Sequence, residues 1–170
     1  MLQPPPVEAE PVETGAASAN SGPEVSSAAN LPTAEGVHRE EISLRFQQAV
    51  SMLHMNRFEY ALAALDQVLL LSPKMPEAHV NKGYALLGLE MYDQAVVSFE
   101  QAVELRPGQA NAYYGLAVAL EASGDVEGAR SAMNLFVHLA EAEDPYVRKA
   151  RAALWEWENG TEGSGKEESG

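Results

Sequence analysis

Apolar positions recur at intervals of three and four through PEAHVNKGYALLGLEMYDQAVVSFEQAVELRP, the stretch from Pro76 to Pro107. Val80, Gly83, Tyr84, Leu86 and Leu87 mark a first run. Tyr92, Ala95, Val96, Phe99, Ala102, Val103 and Leu105 mark a second. Ala95, Phe99, Ala102 and Val103 stand at i, i+4, i+7 and i+8, which is one face of an α-helix. The pattern predicts two amphipathic helices with a short break between them. Pro107 ends the second, because proline cannot continue a helix and biases the residue before it away from α.

The unit repeats at one fixed interval. The step from Pro73 to Pro107 is the same as that from Ala61 to Ala95 to Ala129, and from Leu65 to Phe99 to Met133. A small residue, a large apolar one a turn later and then proline, at a fixed period, mark a helical-hairpin solenoid. The first hairpin is expected to start between Glu35 and Arg39, run to Met55, turn at Asn56-Arg57 and return over Phe58–Leu71. The third is expected over Asn111–Ala122 and Val126–Glu141, with Gly124 in the left-handed position after the helix end. Pro145 lies further beyond Pro107 than Pro107 lies beyond Pro73. The second helix of this hairpin is therefore expected to be a turn longer than the others.

Asp144 and Pro145 read as N-cap and first residue of a further helix. Tyr146, Ala150, Ala153, Leu154 and Trp157 share one face of it, and Arg148, Lys149 and Arg151 the other. One apolar and one polar face suit a helix that closes the end of a solenoid. Trp157 is expected to be buried against the helix from Val126, and Trp155 to be more exposed.

These residues resemble the tetratricopeptide repeat family. In the middle unit Gly83, Leu86, Ala95, Phe99, Ala102 and Pro107 carry the resemblance, while His79 and Lys82 depart from it. In the third, Tyr113, Leu116, Ala117, Leu120, Ala129 and Met133 match. There Phe136 stands where a small residue is usual, and Glu141 where proline is. In the first, Ala49, Met52, Ala61, Leu65 and Pro73 match, while Arg45 and Gln48 replace larger or apolar residues. Terminal repeats are often atypical, since one side has no neighbour. The expectation is an all-α, right-handed helical-hairpin solenoid with disordered acidic termini. Its parts are repeats 42–75, 76–109 and 110–141 and a capping helix 145–158, within a domain spanning 35–158.

Flanking it, residues 1–34 are rich in Pro, Ala, Glu, Ser and Gly, and 159–170 in Gly, Ser and Glu. Neither can bury enough apolar surface to offset its ordering entropy, so both are expected to be disordered. Most of the net charge of −14 lies in residues 1–38, with five glutamates and no Lys or Arg, and 156–170, with five glutamates and one lysine. Such acidity opposes non-specific nucleic-acid binding and binding to anionic lipid surfaces. With no apolar run long enough to span a bilayer and no signal peptide pattern, a soluble protein is expected, cytoplasmic by the absence of a signal, with the compartment itself left open. The periplasm is the alternative if an anchor precedes the proline-rich start, since the beginning MLQPPPVEAEP reads as a linker.

Recognisable reaction chemistry is missing. The chain has no cysteine, and His38, His54, His79 and His138 fall in no metal-ligand spacing. GYALLGLE spaces its glycines like a phosphate loop, but Leu89 follows where lysine is required. No Gly-x-Ser-x-Gly elbow is present. No enzyme activity, cofactor or metal is expected.

The resemblance implies a concave groove lined by the first helix of each hairpin. Carried onto this chain, it implies Ser43, Phe46, Gln47, Val50, Leu53 and His54 from the first repeat. The second offers Glu77, Val80, Asn81, Tyr84, Leu87 and Gly88, and the third Asn111, Tyr114, Gly115, Val118, Glu121 and Ala122. Peptide contacts are expected from Phe46, Val50, Leu53, Val80, Asn81, Tyr84, Leu87, Tyr114 and Val118. Relatives that hold acidic chaperone tails use a clamp of Lys, Asn and Arg; here Asn81 alone fits, and no Lys or Arg falls on these positions. The expected partner is therefore an apolar or amphipathic segment of another protein. The alternative is a self-association module, docking by the groove or by the Trp155/Trp157 end.

Overall fold

The computed structural model describes residues 34–160. Among them the chain forms α1 (Ala34–His54), α2 (Phe58–Leu71), α3 (Pro76–Gly88), α4 (Tyr92–Leu105), α5 (Ala110–Ser123), α6 (Val126–Leu139) and α7 (Pro145–Gly160), with no strand among the described residues. The helices pair as α1–α2, α3–α4 and α5–α6, each pair packs on the next, and α7 closes on α6. This is an all-α helical-hairpin solenoid. The disorder expected for residues 1–33 and 161–170 lies outside the described residues. At their borders, Ala34 and residues 159–160 belong to helices rather than to the flanking segments.

The turns inside the hairpins share one device. Asn56 (φ 55°), Glu90 (φ 60°) and Gly124 (φ 96°) are left-handed and recur at the interval of the repeat itself. Three different residue types meet the same backbone demand, and glycine alone meets it without steric cost. Helices α2, α3, α4 and α5 start without a side-chain cap. The last two helices have one: Asp125 accepts the Gly128 N–H at 2.9 Å, and Asp144 accepts the Tyr146 N–H at 2.8 Å.

Packing follows the small–large alternation. The Phe99 ring of α4 enters between α3 and α5, against the bare backbones of Gly83 and Gly115. Ala61, Ala95 and Ala129 are fully buried where paired helices meet. The residues that depart from the family pattern have local roles. His79 Nε2–H donates to the Pro73 carbonyl at 2.9 Å, tying α3 to the link before it. Lys82 pairs with Asp66 of α2 at 2.7 Å. Phe136, large where a small residue is usual, meets Tyr114 edge to face at 5.1 Å.

Two expectations are corrected here. Helix α6 has 14 residues, the same as α2 and α4, so it is not a turn longer. It stops where Ala140 turns extended (φ −71°, ψ 149°), and the extra length falls in the link before α7. Pro145 is the first residue of α7, and so corresponds to Pro76 at the start of α3 rather than to Pro107. Trp157, for its part, is half-buried, and its Nε1–H donates to Glu121 Oε1 of α5 at 3.1 Å, so it reaches past α6. Trp155 is exposed, as expected, and the buried face of α7 includes Val147 beside Ala150 and Ala153.

Candidate peptide-binding face

Helices α1, α3 and α5 lie side by side and present one face away from α2, α4 and α6. Of the nine residues expected to contact a peptide there, Phe46, Val50, Leu53, Val80, Asn81, Tyr84 and Tyr114 are buried. They fill the seams between helices instead of lining an open apolar groove. Leu87 and Val118 are half-exposed and pack on the core with their inner sides. Gly88 and Gly115, also carried onto the groove by resemblance, lie against the Phe58 and Phe99 rings of α2 and α4.

The buried tyrosines are held by one another and by α7. Tyr84 meets Phe99 edge to face at 5.1 Å, and its hydroxyl donates to the Asn111 carbonyl of α5 at 2.8 Å. Tyr146 of α7 folds onto Tyr114 with ring centroids 5.3 Å apart. Helix α7 thereby covers the far end of the face, through Tyr146 on Tyr114 and Trp157 on Glu121. Burial pushes the Tyr84 phenol well above its ordinary pKa, with Tyr114 and Tyr146 adding to the effect. Burial, then Tyr146, Asp144 and Glu121, push Tyr114 up to about 12. Both phenols are protonated at physiological pH.

The acids of the face are engaged. Glu77 pairs with Arg106 from the α4–α5 link at 2.5 Å, and Glu121 accepts from Trp157. The amide of Asn81 has neither Oδ1 nor Nδ2 hydrogen-bonded, and Asn111 Oδ1 is also without a partner. Outward the face shows the half-exposed Leu87 and Val118, from two neighbouring helices, beside the exposed Gln47, His54, Gly88 and Ala122. The capping helix was foreseen from the sequence, but not its cover over this face through Tyr146 and Trp157, nor the pairing of Arg106 with Glu77. The cue for Arg106 was its place just before Pro107, in a link that must pass the start of α3.

A shallow depression elsewhere is lined by Glu90, Met91, Tyr92, Asp93, Gln94 and Ser123. Its Ser123 hydroxyl donates to the Leu120 carbonyl at 2.9 Å. Among the described residues, no group of His, Cys, Asp or Glu is placed to hold a metal ion, and no helix is long and apolar enough to cross a membrane.

Two family models described as tetratricopeptide repeat match the chain, over residues 46–96 and 86–154. No curated protein matches the sequence. The fold is similar to the type III secretion translocator chaperone SycD of Yersinia enterocolitica, solved as an alternative dimer (TM-score 0.68, 15% identity, covering 72% of this chain and 96% of that one). SycD in complex with a peptide of the translocator YopD gives a TM-score of 0.67 at 14% identity, covering 72% of this chain and 95% of that one. The first repeat domain of Spaghetti (RPAP3), bound to the HSP90 peptide SRMEEVD, gives 0.66 at 16% identity, covering 72% and 94%.

Proposed function

The chain belongs to the tetratricopeptide repeat family, and we propose that it is a non-catalytic protein–protein interaction module, an adaptor or assembly factor. Its ligand is an apolar or amphipathic segment lying along the face of α1, α3 and α5. The observation that carries this reading is the state of that face: Glu77 is ion-paired, Glu121 is hydrogen-bonded to Trp157, and the half-exposed centre is Leu87 and Val118. An incoming chain finds apolar surface to cover at Leu87 and Val118.

Neighbours in fold that are solved with peptides support the class of function. An acidic tail such as SRMEEVD is disfavoured here, because no Lys or Arg falls on the groove positions and Arg106, which approaches the face, is paired with Glu77. Selection of a displayed random-peptide library on the protein tests the reading. Apolar or amphipathic sequences that lose binding to Leu87→Glu are the expected result. Enrichment of acidic C-terminal tails, or binding indifferent to Leu87→Glu and Val118→Glu, would overturn it.

A further inference from the structure

Both ends of the solenoid carry a helix whose outer side has no neighbour among the described residues, and the repeat register says what each side is shaped for. Ala78 and Ala85 of α3 are fully buried in one cluster with Ala61, Leu65 and Val68 of α2. Ala112 and Ala119 of α5 are likewise buried in one cluster with Ala95, Phe99 and Ala102 of α4. In α1 the residues in the same register are Leu44 and Ser51, and both are exposed, because no hairpin precedes α1 among the described residues. Leu44 is 57% exposed and Val37, two turns earlier on the same side, 49%. Glu40 lies between them, exposed and outside any ion pair among the described residues, whereas Glu41 is paired with Arg45 at 2.7 Å. This side of α1 is a helix seat with an acidic mark.

At the other end, α7 packs on α6 through Val147 and Ala150, and nothing follows it among the described residues. Its outer side shows Arg148, Ala152 and Trp155 at i, i+4 and i+7, all exposed, with Arg151 at the edge. Trp155 is 65% exposed, although closing a solenoid calls for a polar outer side. Neither arginine is in an ion pair among the described residues. Basic and aromatic on α7, acidic and aliphatic on α1, the two open sides are complementary. Each is the side of a helix, as is every other joint in the molecule.

We propose that two copies of this chain stack end to end, with Arg148, Ala152 and Trp155 of α7 in one copy seated on Val37, Glu40, Leu44 and Ser51 of α1 in the next. Trp155 covers Leu44, and Arg148 pairs with Glu40. The contact is heterologous, one end of each copy staying open, so association continues with concentration instead of stopping at a closed dimer. It leaves the face of α1, α3 and α5 free, and stands apart from the peptide-binding reading.

Sedimentation of the full chain from low micromolar to millimolar concentration tests this, with Leu44→Arg and Trp155→Ala as variants. Both positions are exposed, and circular dichroism melts confirm that each variant folds. The expected result is concentration-dependent association in the parent, weakened about tenfold or more in either variant alone. An equimolar mixture of the two variants is expected to recover a one-to-one complex, since the first keeps a good α7 and the second a good α1. A parent that stays monomeric throughout overturns the proposal. So does association untouched by Trp155→Ala, which would mean that α1 pairs with α1, or a mixture that recovers nothing.

Discussion

The Phe99 ring of α4 packs on the backbone of Gly83 in α3 so closely that a β-carbon there would stand 2.6 Å from Cζ. Gly115 stands against the same end of the ring and Tyr84 meets it edge to face, so it has little room to yield. Gly83→Ala gains about 1 kcal/mol of helix propensity but overpacks the core by about 1–3 kcal/mol, a net loss. Phe99→Ala is expected to cost about 3–5 kcal/mol by leaving a cavity. In the Phe99→Ala background the sign of Gly83→Ala should reverse, because the clash is gone and the propensity gain remains. Urea unfolding of the four chains of this cycle measures it; the same loss in both backgrounds would mean that the ring does not set this helix spacing.

The left-handed turn residues offer a second test. Glu90 holds φ 60°, which a non-glycine residue adopts at a cost of about 1 kcal/mol. Glu90→Gly should raise stability by about that amount, offset in part by the greater freedom of the unfolded chain. Gly124→Ala, at φ 96°, should lower it by about 1 kcal/mol or more. Thermal melts read both, and opposite shifts are expected at two positions that hold the same place in successive repeats.

Hairpin register was legible in the sequence because it depends on local size: Ala61, Ala95 and Ala129 must be small where paired helices touch, and Leu65, Phe99 and Met133 large beside them. Pro145 misled because proline has two roles at helix ends, past the end at Pro73 and Pro107 and inside the start at Pro76 and Pro145. The inner face was less legible. Whether Tyr84 or Tyr114 lines a groove or fills a seam depends on how closely α1, α3 and α5 approach, and that is set by residues on other helices. Nor does anything near Tyr114 in the sequence announce that Tyr146, two helices further on, will fold onto it.

The two buried phenols make stability sensitive to alkali. A folded-state pKa raised above the unfolded value of about 10 favours the protonated form in the folded chain. The resulting contribution is whole below the unfolded value and is lost as pH climbs through the folded values, about 12 for Tyr114 and raised also for Tyr84. Stability should therefore fall between about pH 10 and 12, with tyrosinate absorbance appearing together with unfolding. Tyr114→Phe should shallow that fall. An unchanged slope would mean that Tyr114 ionises without unfolding the chain.

Removing α7 uncovers Tyr114 and leaves Glu121 without the Trp157 donor. A chain ending at Ala142 is expected to aggregate, since it exposes a contiguous apolar face. The milder Asp144→Ala removes only the cap on the Tyr146 N–H and should cost about 1 kcal/mol. A soluble truncation with the parent's melting temperature would show α7 to be dispensable.

Tyrosine substitutions cannot serve as binding probes in this fold. Tyr84→Ala and Tyr114→Ala would open cavities in the core and cost about 3 kcal/mol or more, so lost binding would report lost structure. Leu87→Glu and Val118→Glu are the informative changes, because both side chains reach solvent while packing on the core with one side. Each is expected to leave helix content intact and to weaken a selected apolar peptide by about 2 kcal/mol, roughly thirtyfold. Affinity should change little between low and high salt, since the binding surface at Leu87 and Val118 is apolar and Glu77 is already ion-paired with Arg106. Arg130→Ala should have no effect on peptide affinity, because Arg130 lies on α6 and is paired with Glu127 at 2.7 Å. Calorimetric titration of one selected peptide against these variants at two salt concentrations decides the matter. Binding that falls steeply with salt, or that depends on Arg130, would move the ligand to the opposite side of the solenoid.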